Sequence, residues 1–215
     1  NNYVNGQNID HVWFYKNNGT NAIPDFQLKT KNFLIDEMSN FYGGADPAFG
    51  DINGDGLLDL VVGSTQIVRG DSIETKSISL LLNTGTVEDP QFTLTDDDFL
   101  GFSKNGVNSE RFAPDFGDLD NDGDQDLLVG DSSGKVFFFE NTAGANKPMA
   151  FAAPVYPYAN FFETQNAKPH ITDLDDDGLS DIIMGKLNNS LIFYKNIGAI
   201  GSPKFNPNPA VFFFF

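Results

Sequence analysis

The chain has 215 residues, no cysteine and a formal net charge of −17, from 30 acids against 13 bases. This excludes a disulfide framework, a thiolate zinc site and a cysteine nucleophile, and it argues against a nucleic-acid partner, because phosphate binding needs basic patches. No run of 18 apolar residues occurs, so membrane insertion by a helix is not expected.

Two sequence elements alternate along the chain. The first to appear is "FYKNNGTNAIPDF" at 14–26, an apolar stretch that runs into an Asn/Gly turn and resumes after Pro. It returns as "LLLNTGTVEDPQF" (80–92), "FFENTAGANKPMAF" (138–151) and "FYKNIGAIGSPKF" (193–205). The second is acidic: "DINGDGLLDLVVG" at 51–63, "DLDNDGDQDLLVG" at 118–130 and "DLDDDGLSDIIMG" at 173–185. Each acid loop follows a Pro by four residues, at Pro47, Pro114 and Pro169. The interval from the turn Asn to the next acid loop is 34, 35 and 32 residues, and from acid loop to Asn it is 32, 23 and 23. The chain is therefore an internal repeat of about three and a half units. The approximate boundaries are 1–45 (partial), 46–111, 112–167 and 168–215 (partial), with an insertion near 64–77 in the second.

Within a unit, "LDLVVG", "QDLLVG" and "SDIIMG" are short apolar runs rich in branched residues and closed by Gly, the pattern of strands. "SISLLL", "KVFFFE" and "SLIFYK" predict strands entering the Asn/Gly turn. "PQFTL" and "PKF" predict another with Pro at its edge, and "DPAFG", "APDFG" and "KPHIT" supply the one before each acid loop. Four strands per repeat and no amphipathic helix predict an all-β fold of propeller blades.

The acid loops fit D-x-[DN]-x-D-G-x-x-D. Oxygen ligands at alternate positions suit a hard cation, and calcium takes six to eight of them. Positions 1, 3, 5 and 9 would ligate through side chains and position 7 through its carbonyl. The first site is then Asp51, Asn53, Asp55, Leu57 and Asp59. The second is Asp118, Asp120, Asp122, Asp124 and Asp126, and the third is Asp173, Asp175, Asp177, Leu179 and Asp181. Gly56, Gly123 and Gly178 at position 6 allow the sharp turn. An EF-hand is excluded, because its twelfth position needs Glu and these loops have Val62, Val129 and Met184. The three nine-residue loops hold 13 of the 30 acids, and three Ca²⁺ would bring −17 to −11.

"PAFGDINGDGLLDLVVG", "APDFGDLDNDGDQDLLVG" and the more divergent "KPHITDLDDDGLSDIIMG" resemble FG-GAP (VCBS-type) repeats. This resemblance implies calcium-bearing blades like those of integrin α-subunit propellers and of many bacterial secreted proteins. It implies a ring of about seven blades, so the rest of the propeller is expected from a longer chain; the opening "NNYVNGQ" is not expected to be a natural start. The Asn/Gly element is similar to repeats of Bacteroidetes surface proteins, often exported by the type IX system. The function expected is a calcium-stabilised extracellular or cell-surface module for adhesion or protein contact, with a protein or a surface glycan as partner. The alternatives are a non-catalytic part of a secreted polysaccharide-degrading enzyme, or cargo of a bacterial surface or secretion assembly.

The remaining features carry less. "RGD" at 69–71 matches an integrin-ligand tripeptide and reads as a polar turn. His11 and His170 read as isolated strand residues, and Trp13, Phe14 and Tyr15 as core packing of a strand. "NGT" (18–20) and "NNS" (188–190) fit glycosylation sequons or turns. "VFFFF" at 211–215 reads as an edge strand or as an artefact of sequence assignment. No G-x-S-x-G, HExxH or P-loop is present, so no enzyme activity is expected of this chain.

Overall fold

A computed structural model describes residues 2–4, 7–9, 12–33, 40–69, 72–102, 105, 107, 109–159, 161, 165–185 and 190–213. His11, Gly70 and Asp71 of the RGD tripeptide, Asn188, Asn189, Phe214 and Phe215 lie outside the described residues.

The described chain is all-β, with antiparallel sheets that follow sequence order. Strands β1 (Asn2–Val4) and β2 (Gln7–Ile9) form one pair, and β3 (Val12–Asn17) and β4 (Phe26–Phe33) another. Strands β5 (Asn40–Gly50), β6 (Asp59–Arg69), β7 (Ser72–Asn83) and β8 (Phe92–Asp96) make a four-stranded sheet. A three-stranded sheet follows, from β9 (Ala113–Gly117), β10 (Asp126–Gly130) and β11 (Val136–Phe139). The last has β12 (Lys168–Thr172), β13 (Asp181–Gly185), β14 (Ser190–Tyr194) and β15 (Ala210–Phe213). In the three-stranded sheet the fourth position is held only by the isolated bridges Phe138–Val155 and Asn141–Phe151. Pro148, Pro154 and Pro157 break up that stretch and remove ladder donors.

The sheets stack face to face. Successive side chains on a strand point to opposite faces, and β10 shows why its run is apolar throughout. Leu127 and Val129 pack with Val61, Ile78, Phe112 and Phe137 on one side. Leu128 packs with Leu119, Val136, Ile171, Ile182 and Met184 on the other. A strand covered on both faces gains nothing from polar alternation. The first strands β5, β9 and β12 are neighbours across the sheets. Their approach leaves no room for a side chain at one glycine of each of the second strands β6 and β10: a Cβ on Gly63 would sit 1.9 Å from the carbonyl of Phe112, and one on Gly130 2.1 Å from that of Ala167. Stacked four-stranded sheets with adjoining first strands are consistent with propeller blades.

The 64–77 insertion is an elongation of the β6–β7 hairpin, paired from Ser64–Ser77 to Arg69–Ser72. One expectation needs revision. Trp13 and Tyr15 are not core residues; they are 51% and 46% exposed, because β3 pairs only with β4 and no further strand covers that face among the described residues. Residues Ala210–Phe213 form the edge strand of the last sheet, paired with β14, as the edge-strand reading of 211–215 expected for its described part.

Candidate metal centres

Each acid loop joins the first strand of a sheet to the second, and the same hydrogen-bond network shapes all three. The position-1 carboxylate accepts the N–H groups of positions 5 and 6. Asp51 takes Asp55 and Gly56 at 3.0 and 2.9 Å, Asp118 takes Asp122 and Gly123 at 3.0 Å each, and Asp173 takes Asp177 and Gly178 at 3.2 and 2.9 Å. The position-5 carboxylate accepts the N–H of position 7: Asp55 from Leu57, Asp122 from Asp124, and Asp177 from Leu179. Gly56, Gly123 and Gly178 have φ of +86°, +99° and +85°, where a side chain is strained.

These bonds turn the carboxylates inward. One oxygen each from Asp118, Asp120 and Asp126 lie within 4.8 Å of one another, as do those of Asp173, Asp175 and Asp177. Ionisation there is costly. Burial, ahead of the neighbouring Asp120 and Asp124 charges, pushes the Asp126 carboxyl up to about 7 against the N–H groups of Asn141 and Leu119. Burial also raises Asp59 and Asp181, the position-9 residues of the other loops. In the first loop Asn53 donates its amide to Asp55 at 2.8 Å, partly meeting the same charge.

The third loop has an internal counter-ion. Lys195, the residue just after β14, pairs with Asp175 and, at 2.9 Å, with Asp177. Its hydrogen bonds and charge hold the Asp177 carboxyl below the usual carboxylate range. The corresponding residues of the other repeats are Leu82 and Glu140.

Residues 43–67 match the family model described as FG-GAP repeat, and residues 118–184 match the one described as FG-GAP-like repeat. These two stretches are similar to FG-GAP repeats. Human integrin alpha-6 is 27% identical over 170 residues, covering 75% of this chain and 14% of the integrin. The chain thus spans only that 14% of the length of the relative it matches.

In these repeats the position-9 aspartate does a second job that the motif does not announce. One oxygen accepts the N–H of position 2, at Ile52, Leu119 and Leu174. The other accepts the N–H of the turn asparagine that follows the third strand: Asn83 at 2.8 Å, Asn141 at 2.9 Å and Asn196 at 2.7 Å. That asparagine in turn closes its own loop. The Oδ1 of Asn83 accepts Gly85 and Gln91, that of Asn141 accepts Ala143 and Ala150, and that of Asn196 accepts Gly198 and Lys204. Asn17 does the same with Gly19 and Asp25. The two alternating sequence elements are therefore one structural device.

Asp124, at position 7 of the second repeat, also exceeds its sequence-stated role of offering a carbonyl. Its side chain is buried, and Oδ2 accepts the Gly144 N–H at 2.7 Å. Oδ1 has no hydrogen-bond partner. It lines a cleft of about 260 Å³ together with Asp51, Asn141, Asn146 and Lys147. Sequence reading also missed Lys195, just past the end of β14, and Asn121, at position 4 of the second loop. His170, on the surface, pairs with Asp115 at 3.2 Å.

Proposed function

We propose that the chain is a calcium-stabilised stretch of β-propeller from an extracellular or cell-surface protein, serving as a non-enzymatic module that contacts another protein or a surface glycan. The observation that carries this reading is the threefold recurrence of one carboxylate hydrogen-bond network, whose oxygens converge in two of the three loops. A solvated acidic turn has no reason to repeat such a network bond for bond. The FG-GAP repeats and the integrin likeness support an outward-facing interaction role. The units 46–111, 112–167 and 168–215 are taken as blades or parts of blades in a ring of roughly seven.

The residues present fit calcium. The donors are oxygen only, and they converge within 4.8 Å in two loops. Asp51, Asn53, Asp55, Asp59 and the Leu57 carbonyl would hold one ion. Asp118, Asp120, Asp122, Asp126 and the Asp124 carbonyl would hold a second, and Asp173, Asp175, Asp177, Asp181 and the Leu179 carbonyl a third. The ion supplies charge neutralisation and no bond chemistry. Magnesium is disfavoured, since it demands strict octahedral geometry and retains its waters.

Unfolding would scatter these ligands, so a site at 100 times its dissociation constant stabilises the fold by ~2.7 kcal/mol. Chelator is expected to lower the melting temperature by several degrees, and calcium to restore it better than equal magnesium. A melting temperature indifferent to chelator and to both metals would overturn the proposal.

A further inference from the structure

Asn121 stands at position 4 of the second acid loop, between Asp120 and Asp122, with φ +61°. Its side chain leaves its own repeat. Nδ2 donates to the carbonyl of Gly178 at 3.0 Å, and Oδ1 accepts the N–H of Ser180 at 3.3 Å. Gly178 and Ser180 are positions 6 and 8 of the third loop. The amide of Asn121 thus grips the backbone on both sides of Leu179, whose carbonyl is the position-7 ligand of that loop.

The first loop has no such reach. Its position 4 is Gly54, and a Cβ there would meet Pro148 N at 2.5 Å. Its tie to the next repeat runs through backbone alone, from Met149 N–H to the Ile52 carbonyl at 2.9 Å. Among the described residues, no side-chain hydrogen bond joins the first and second loops.

We propose that Asn121 couples the second and third loops, so that a cation bound in one favours binding in the other. This rests on the cation reading given above. Ligands at Asp120 and Asp122 fix the backbone that carries Asn121. A fixed Asn121 holds the peptide units around Leu179 in the conformation that directs its carbonyl inward. By linkage the effect is reciprocal: filling the third loop favours the second by the same factor. One or two hydrogen bonds at ordinary net strength correspond to a coupling of about threefold to tenfold.

The test is a calcium titration followed by amide NMR. Gly56, Gly123 and Gly178 each donate to the position-1 carboxylate of their own loop, so each amide reports one site. In Asn121→Gly, which keeps the positive φ without strain, the Gly178 midpoint is expected to move to about threefold to tenfold higher calcium while the Gly56 midpoint stays in place. Asn121→Asp keeps the size and the acceptor for Ser180 but loses the donor to Gly178. It is expected to give a similar shift and covers the case in which the glycine variant folds poorly. Asp120→Ala, which weakens the second site, is expected to shift Gly178 as well, and not additively with Asn121→Gly. Calcium binding with an unmoved Gly178 midpoint in both Asn121 variants would overturn the coupling alone. Three amides that ignore calcium would overturn the cation reading and the coupling together.

Discussion

The backbone N–H of Asn141 donates to Oδ1 of Asp126 at 2.9 Å, tying the turn after the third strand to the last residue of the acid loop. The other oxygen of Asp126 holds the Leu119 N–H at 3.0 Å. Asp126 therefore stabilises the sheet even without a cation. Asp126→Ala leaves buried N–H groups unmatched, at about 1–3 kcal/mol each. In chelator it is expected to lower the melting temperature by about 4–10 °C. Asp122→Ala removes one bond at an exposed turn residue and is expected to cost less than about 2 °C. Equal losses in chelator would show that position 9 has no structural task of its own.

Lys195 competes with any cation for Asp175 and Asp177. Lys195→Met keeps the length of the side chain and removes the charge. The third loop is expected to bind calcium several-fold more tightly in this variant, with the first loop unchanged. The Gly178 and Gly56 amide midpoints measure both. A Gly178 midpoint that stays put would show that the lysine is a bystander.

Asp115 joins neighbouring sheets by accepting the Ile171 N–H at 2.7 Å. Burial raises its carboxyl above the usual range, against the Ile171 and His170 bonds. The folded state therefore holds this proton more tightly than the unfolded one. The group's stabilising contribution is full below the ordinary carboxylate range and is lost as pH rises past its raised value. Asp115→Asn keeps an acceptor for Ile171 and removes the titration. The melting temperature of the variant minus that of the wild type is expected to be more positive at pH 7 than at pH 4. A difference that is flat or falls with pH would contradict this.

The close approach of neighbouring first strands gives a glycine comparison. Gly63→Ala and Gly130→Ala place a Cβ about 2 Å from backbone carbonyl oxygen, so strands must shift, at a cost of the order of 1–3 kcal/mol or more. Gly185, at the same place in the last repeat, has nothing nearer than 3.7 Å. Gly185→Ala is expected to melt within about 2 °C of wild type, and the other two well below it. Three similar melting temperatures would remove the packing explanation.

The strand order and the three loops were legible because Asp at alternate positions, then Gly, then a branched apolar run is a local signal. The β-character of the Asn/Gly element was legible for the same reason. Its tie to the acid loop was not, because Asn83 lies 24 residues from Asp59 and only the folded sheet brings them together. Asn121 and Lys195 were invisible for a related reason: one acts in the next repeat and the other from just past a different strand. Trp13 and Tyr15 look like core residues in any window, and only the number of strands laid beside them decides their exposure. The β6–β7 extension reads as an insertion by spacing, since repeat arithmetic counts extra residues without saying whether they pair.

Gly63 and Gly130 have a consequence for how such a chain can change over evolutionary time. At both positions the space of a missing side chain is filled by a backbone carbonyl, that of Phe112 and that of Ala167. A backbone group is present whatever side chain it carries, so Phe112 and Ala167 can be exchanged in heredity without opening that space. The two glycines have no such freedom, and variation at these joints falls on one partner only.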